Sequence, residues 1–174
     1  MPRSTPTSKA PSKAPSKALP AATAEQQIAR FLAKFDPDVA RQVRAARAVL
    51  RRLLPAAIEL VYDNYNFFVI GFCTTERASD CLVSLATSAK GVALSFYWGA
   101  TLPDPHGLLL GTGKQNRFVR LDGPATLASA PVRALILAAA AQARTPLPAR
   151  GLGHTVIKSI SAKQRPRRGP RAVG

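Results

Sequence analysis

The chain has 174 residues and a net charge of +16, a length that fits one domain with flanking tails. Residues 1–23 and 144–174 carry four and eight Lys and Arg and no acidic residue, whereas residues 24–143 carry thirteen basic and nine acidic residues. No apolar run is as long as a membrane-spanning helix and the start lacks an apolar secretory region, so we expect a cytoplasmic protein that is not inserted in a membrane.

The first predicted elements are an arm and two helices. Residues 1–23 repeat Ala-Pro-Ser-Lys and offer almost nothing apolar, which predicts a disordered arm. Thr23 and Gln26 have the spacing of a capping box, which predicts a helix start. Asp36-Pro37 is typical of a second helix start. The second helix has an apolar stripe and an arginine face, with Arg47 at its flank. We expect this face to be solvated; an acidic partner or nucleic acid is the alternative. The face consists of Arg41, Arg44, Arg51 and Arg52.

Five strands are predicted after Pro55, which ends the second helix. Short connections between them favour antiparallel hairpins. In the fourth strand Val92, Leu94, Phe96 and Trp98 share one face by a period of two, so Trp98 is expected to face the helices. The predicted strands span 58–62, 67–73, 81–87, 92–98 and 117–121.

A closing helix is predicted from Pro131, because the apolar residues that follow have helical spacing. The fold class is therefore α+β, with two N-terminal helices and one closing helix packed on a mostly antiparallel sheet of about five strands. This domain covers 24–143. The prolines and basic residues of 144–174 predict a mostly disordered tail in which Val156-Ile157 is a short apolar patch.

The stretch 102–121 combines turn residues with positive charge. Gly111 and Gly113 can orient their backbone N–H groups toward one point, which would form a small anion-binding nest. Lys114, Arg117 and Arg120 add charge, although the two arginines should point to opposite faces of a strand. A glycine-rich bend with solvated basic residues is the alternative interpretation. The spacing of a phosphate-binding loop is absent.

No catalytic or metal-binding set can be assembled from the sequence. His106 and His154 have no partner at metal-ligand spacing. Cys73 and Cys81 are expected to be buried thiols, and because they flank a predicted hairpin loop they can be neighbours across two strands. We therefore predict no catalytic residues, no metal, no cofactor and no enzymatic activity. Three aromatic residues can line a pocket or fill the core. These are Tyr62, Tyr65 and Trp98.

Six segments of the chain together have a recognisable order. They are Leu54-Pro55 after an amphipathic helix, Glu59 to Asn66, Trp98-Gly99-Ala100, Leu102-Pro-Asp-Pro105, Gly111-Thr-Gly-Lys114 and Arg117 to Leu121. This order resembles the YdhG-like domain, a family of unknown function. The resemblance covers roughly residues 26–143 and implies an intracellular α+β domain without an established catalytic site. Asn64-Tyr65-Asn66 stands where many members have Gly-Met-Pro, which is typical of a side branch.

Some relatives in that family are described as frataxin-like iron chaperones. Iron handling would need clustered carboxylates, and the first two helices carry only Glu25, Asp36 and Asp38, so this alternative is disfavoured. The expected function is a small non-enzymatic binding module whose basic tails associate weakly and non-specifically with nucleic acid. The other alternative is a small-molecule or anion-binding protein that uses the Gly111–Lys114 loop.

Overall fold

The first two helices begin at the residues that the sequence predicts. Thr23 Oγ1 accepts a hydrogen bond of 3.2 Å from the backbone N–H of Gln26, and Gln26 Oε1 accepts one of 2.9 Å from the N–H of Thr23. This reciprocal capping satisfies two of the backbone donors that every helix start leaves unpaired. Pro37 stands at the start of the second helix, where its missing N–H costs nothing.

The computed structural model describes residues 21–169. The arm predicted at 1–23 lies, apart from its last three residues, outside the described residues, as does the end of the tail. The described elements are α1 Ala24–Leu32, α2 Pro37–Leu53, β1 Ile58–Asp63, β2 Phe68–Cys73, β3 Cys81–Ser88, β4 Gly91–Phe96, β5 Arg117–Leu121, α3 Pro124–Ala128, α4 Ala130–Ala141 and β6 Thr155–Ile160.

One six-stranded sheet forms the centre, with strand order β5-β4-β3-β2-β1-β6. The first five strands pair antiparallel with their neighbours, and β6 pairs parallel with β1. This arrangement confirms the predicted α+β class, with one strand and one helix more than the sequence predicts. In the part of the chain that the structure describes, no helix is both long and apolar enough to cross a membrane.

The helices pack on one face of the sheet, because alternate strand residues on that face are apolar. Val61, Ile70, Leu85 and Leu94 lie on it, completely buried in one apolar cluster with residues of α1, α2, α3 and α4. The residues between them face the other side of the sheet. Among the described residues, only a small cluster is buried on that side, around Leu60, Cys73 and Cys81, and it contains no helical residue. The positions of the helices therefore leave the second face open over most of its width.

The structure differs from the sequence prediction in the segment 144–169. This segment was expected to be mostly disordered, but β6 pairs with β1 from Glu59 to Asp63. Its apolar patch packs on the body of the domain, with Ile157 against the main core and Val156 against the smaller cluster. Further along, Arg167 is only 5% exposed. The prediction was wrong here because the partners of these residues lie about 100 positions earlier in the chain.

Two carboxylates of β1 point toward the helices and are buried there. At one end, Glu59 accepts hydrogen bonds of 2.8 and 2.6 Å from Nε and Nη2 of Arg47, and one of 2.6 Å from Thr155 Oγ1. Arg47 also donates to Glu25 of α1. Burial opposes the charge of Arg47, but its bonds to Glu59 and Glu25 outweigh this effect and raise its pKa. The arginine that the sequence places at the flank of a solvated face thus belongs to the interior.

At the other end of β1, Asp63 is fully buried. It lies 2.5 Å from Nζ of Lys34 and 3.0 Å from Nη2 of Arg167. Within the described residues, Nε and Nη1 of Arg167 have no hydrogen-bond partner. Through these two ion pairs, Asp63 connects Arg167 of the C-terminal segment with Lys34, which follows α1.

Candidate functional site

The loop of residues 102–116 is built on local contacts. Asp104 accepts backbone hydrogen bonds of 2.9 and 2.8 Å from Leu108 and Leu109, which closes the turn after Pro103. Leu110 then pairs with Phe118 of β5 in both backbone directions. Gly111 has φ +105° and lies against the Phe118 ring, so glycine suits this position. These local contacts are sufficient to explain the conformation of the loop, which is a bend beside the edge strand β5.

The charged residues of the predicted anion site do not converge. Gly113 does not have a positive φ, and Lys114 is exposed. The guanidinium of Arg117 donates to the carbonyls of Gly113 and Asn116, its own loop. Arg120 is exposed on the opposite face of β5, as strand alternation predicts. Each residue thus has a separate environment, and the loop offers no shared point of positive charge.

The three aromatic pocket candidates are also separated. Tyr62 lies on the open side of β1 beside the two cysteines, and burial, followed by the proximity of those thiols, raises the pKa of its hydroxyl. Tyr65 lies in the β1–β2 turn, 50% exposed, with the guanidinium of Arg165 5.7 Å from its ring centre. Trp98 is 42% exposed and borders a cavity.

The prediction that Trp98 faces the helices with Val92, Leu94 and Phe96 was wrong. Strand β4 ends at Phe96, and Trp98 has φ −106° and ψ 36°, which is not extended backbone. The alternation of side chains that holds along a strand no longer applies after its last residue. The indole therefore leaves the core and lies at the surface.

The cavity beside Trp98, here the Trp98 cavity, has a volume of about 180 Å³. It lies between the end of α4, the β2–β3 loop and the residues that follow β4. A dry cavity of about 150 Å³ can hold benzene, so this one has room for a single aromatic ring and a substituent. Its residues include Arg77, Asp80, Cys81, Trp98, Gln142 and Arg144.

Hydrogen bonds hold Trp98 on both sides of the cavity. Its indole Nε1 donates to the carbonyl of Ser79 at 3.3 Å, and its own carbonyl accepts from Nε2 of Gln142 at 3.1 Å. The ring of Tyr97 meets the indole edge-on, with ring centres 5.3 Å apart. The indole is thus held in place although nearly half of it is exposed, and a fixed aromatic surface of this kind suits ligand binding.

The charges around the Trp98 cavity are unequal. Asp80 accepts hydrogen bonds from Thr75 Oγ1 at 2.6 Å and from Nε of Arg77 at 3.0 Å. These bonds, with that of Thr75 the larger, lower the pKa of Asp80 and keep its carboxylate ionised. Arg144 also lines the cavity and is exposed, and its charge contributes to the lowered pKa of Asp80. It forms no ion pair at contact distance with any acidic residue in 21–169, so its guanidinium remains accessible to an anion, whereas Arg77 is paired with Asp80.

The thiol at this cavity is not set up as a nucleophile. Cys81 lies opposite Cys73 in the β2–β3 pair, and both are free and buried. The hydrogen bond with Cys73, followed by burial, raises the pKa of the Cys81 thiol, so the reactive thiolate is disfavoured. His154 lies elsewhere and contacts Glu76 at 3.0 Å. Among residues 21–169 no three His, Cys, Asp or Glu side chains form a group that could hold a metal ion.

A second concave surface lies between α2, α3 and the end of β5. It is larger, about 520 Å³, and its walls are mostly apolar, with Val49 and Leu127 among them. Its charged residues are Asp38, Arg41 and Asp122, of which Asp38 and Arg41 form an ion pair with each other. This groove therefore has room for a ligand but lacks an aromatic surface or a cation free to orient one.

Sequence reasoning missed the residues that surround Trp98. Arg77 and Asp80 lie in a polar turn, and Gln142 and Arg144 follow the apolar face of α4, so none belongs to a motif. The helix end and the β2–β3 loop meet only in the folded chain. The exposed tryptophan was the one available signal, and its orientation was predicted incorrectly.

Comparison of the chain with protein-family models, with curated proteins and with solved structures found no significant match. The similarity to the YdhG-like domain therefore stays a prediction that depends on the quoted segments alone.

Proposed function

We propose that the protein is a small, non-enzymatic binding module that holds a compact anionic ligand in the Trp98 cavity. The observation that carries this proposal is the fixed, half-exposed indole of Trp98 facing a cavity with Arg144 unpaired at its wall. A planar group of the ligand would pack on the indole, and its carboxylate or phosphate would pair with Arg144. Thr74 also lines the cavity, and its buried hydroxyl has no hydrogen-bond partner in the described structure.

The same residues support binding in preference to catalysis. The Cys81 thiol is held protonated, and the Asp80 carboxylate is occupied by Thr75 and Arg77, so neither is suited to act as nucleophile or general base. Membership of the YdhG-like family and a cytoplasmic location are part of the proposal. An iron chaperone is disfavoured, because iron binding would need a cluster of carboxylates and none is found among the described residues. Glu25 of α1 is instead paired with Arg47.

Trp98 is the chain's single tryptophan, so its fluorescence reports on this cavity alone. Benzoate and phenyl phosphate are suitable probes, because each joins one ring to one anionic group. We expect a saturable fluorescence change in the wild type, with binding at least tenfold weaker in Arg144→Ala. Arg150→Ala is the matched control, since Arg150 is exposed and outside the cavity. The absence of saturation, or equal binding by both variants, would contradict the proposal.

A second candidate function is weak, non-specific association with nucleic acid through the basic tails. It is favoured by the eight Lys and Arg of residues 144–174, which have no acidic residue among them, although one of the eight, Arg167, is buried against Asp63. Binding of a duplex DNA should fall steeply between about 50 and 200 mM salt, because each phosphate contact releases a counterion. Duplex binding that does not depend on salt would argue against it.

A further inference from the structure

Within residues 21–169 no helix covers the second face of the sheet, here the open sheet face, and the charged residues at its strand positions are all basic. It consists of the strand residues that alternate with those packed under the helices. No acidic residue occurs at these strand positions, because both acidic residues of β1, Glu59 and Asp63, point to the helices. Its two charged residues are Arg120 on β5 and Lys158 on β6, which are the two edge strands. Lys158 stands at a bulge of β6, and its Nζ donates to the backbone carbonyl of Glu76 at 3.2 Å. Five strand spacings of about 4.8 Å separate these edges by about 24 Å.

The middle of the open sheet face is low and flat. Cross-strand pairing brings small side chains side by side across the three central strands. Because these side chains are short, the surface over β4, β3 and part of β2 is a shallow floor, which Val69 of β2 and Tyr62 of β1 border on the side of β6. The residues of this floor are Gly71, Ser84, Ala86, Ala93 and Ser95.

Aromatic residues border the floor near the β3–β4 turn. Phe67 is 46% exposed and Phe118 is partly exposed, and both line a concavity of about 220 Å³ above Ala86 and Ala93. Lys90 and Arg120 line the same concavity. Asp122, just beyond the end of β5, is the acidic residue at its rim.

This combination fits an unpaired polyanion with planar groups. Proteins that bind single strands use aromatic side chains as stacking surfaces for bases and a basic groove for the backbone. A duplex keeps its bases stacked inside and cannot present them to Phe67. A second copy of this face is disfavoured, because it would bring like charges from Arg120 and Lys158 together without acidic partners.

We propose that the open sheet face binds single-stranded nucleic acid. A base packs beside Phe67 and Phe118 over the floor of small residues, and Arg120, Lys90 and Lys158 contact the phosphates. The proposal is independent of the Trp98 cavity, which lies on the helix side beside α4. It also differs from tail-mediated association in its site and in its preference for single strands.

The test compares fluorescein-labelled dT12 and rU12 with a 12-base-pair duplex, by anisotropy on the full chain at fixed salt. We expect the wild type to bind the single strands more tightly than the duplex. Phe67→Ala should weaken single-strand binding about tenfold, the effect of one lost stacking contact, and leave duplex binding unchanged. Phe67→Leu keeps apolar cover without the ring and should weaken binding similarly. Leu137→Ala, at an exposed apolar position on α4, is the control and should have no effect.

A charge test separates this face from the rest of the basic surface. The double variant Arg120→Gln with Lys158→Gln should reduce the slope of log K against log salt for dT12 by about 1.4. The control Arg44→Gln with Arg52→Gln removes the same charge from α2, on the other side of the sheet, and should leave that slope nearly unchanged.

Several outcomes would overturn the proposal and leave the proposed cavity function intact. One is equal binding of dT12 and duplex, with Phe67→Ala and Phe67→Leu both unaffected, since this assigns all binding to charge elsewhere. Another is no binding of dT12 or rU12. A third is a dimer in solution that Phe67→Ala dissociates, which would assign the face to a second copy of the chain. Benzoate binding at Trp98 would be unchanged in each case.

Discussion

The two carboxylates at the ends of β1 have the same chemistry and different consequences. Glu59 and Asp63 are both buried on the helix side, and each is paired with a buried arginine. Arg47, the partner of Glu59, lies in the middle of α2, where the helix holds its backbone in place. Arg167, the partner of Asp63, follows β6 outside any described helix or strand, so we expect its segment to detach more readily and to carry the charge into water. The cost of breaking a buried ion pair therefore depends on whether its cation is free to leave.

The largest effect is expected for Glu59→Ala. This change leaves Arg47 buried with one acidic partner, Glu25, and should lower the free energy of unfolding by about 3–5 kcal/mol, as for other broken buried pairs. Urea denaturation measures the loss. Glu76→Ala is the control and should cost less than about 0.5 kcal/mol, because this carboxylate is exposed and its one ion pair within 21–169 is with His154. A loss below about 1 kcal/mol for Glu59→Ala would contradict an essential role for this ion pair.

An intermediate effect is expected for Asp63→Ala, because release of Arg167 limits the cost to about 1–3 kcal/mol. We expect the loss of stability to be confined to the segment that follows β6. The amide of Ser161 donates to the Asp63 carbonyl and that of Arg165 to the Tyr65 carbonyl, and both should exchange their hydrogens faster. The proposed difference between the two ends of β1 would be refuted if these two amides kept their protection from exchange and if Asp63→Ala also lowered the free energy of unfolding as much as Glu59→Ala.

The smallest effect is expected for Glu25→Gln, at the exposed side of the Arg47 cluster. The hydrogen bond from Arg47 lowers the pKa of Glu25 from its ordinary value of 4.5, although burial opposes this shift. The stabilisation is therefore present above pH 4.5 and is lost as the pH falls through the lower pKa of the folded state. Because Glu25 is largely exposed, we expect no more than about 1 kcal/mol at pH 7.

Unfolding of the wild type and Glu25→Gln at several pH values checks this sign. The stability difference should shrink on acidification below pH 4.5. A difference that grows under those conditions would show that the carboxylate is not stabilised by Arg47.

Local features of the fold were predictable from the sequence, and distant pairings were not. The capping box at Thr23, the proline at the start of α2 and the alternation of β5 depend on neighbouring residues, and all three were predicted correctly. By contrast, Arg47 was predicted to lie beside a solvated face. Helical spacing shows which residues of α2 lie on the same side of the helix. It does not show that Glu59 of β1 will lie opposite Arg47.

The candidate site was predictable only in part, for the same reason. Trp98 was named as a pocket candidate. It was nevertheless predicted to lie in the core, because the alternation of strand residues was extended two residues beyond Phe96, where β4 ends. Arg144 reaches the Trp98 cavity because α4 ends beside the β2–β3 loop, which is a product of the whole fold. The open sheet face could not be predicted either. The alternation in β4 shows that its residues point to two sides, but not which of these sides the helices cover.

The parallel pairing of β6 with β1 affects the order in which the protein can form during synthesis. Thr155 follows Glu59 by 96 residues, whereas the hairpins of β1 to β4 join neighbouring segments. Until Thr155 emerges from the ribosome, β1 is an edge strand with unpaired backbone groups, which is a template for joining other chains. Such long-range pairing is also slow to form. Nascent chains that stall, or chains shortened before residue 155, are therefore those we expect to aggregate and to engage chaperones.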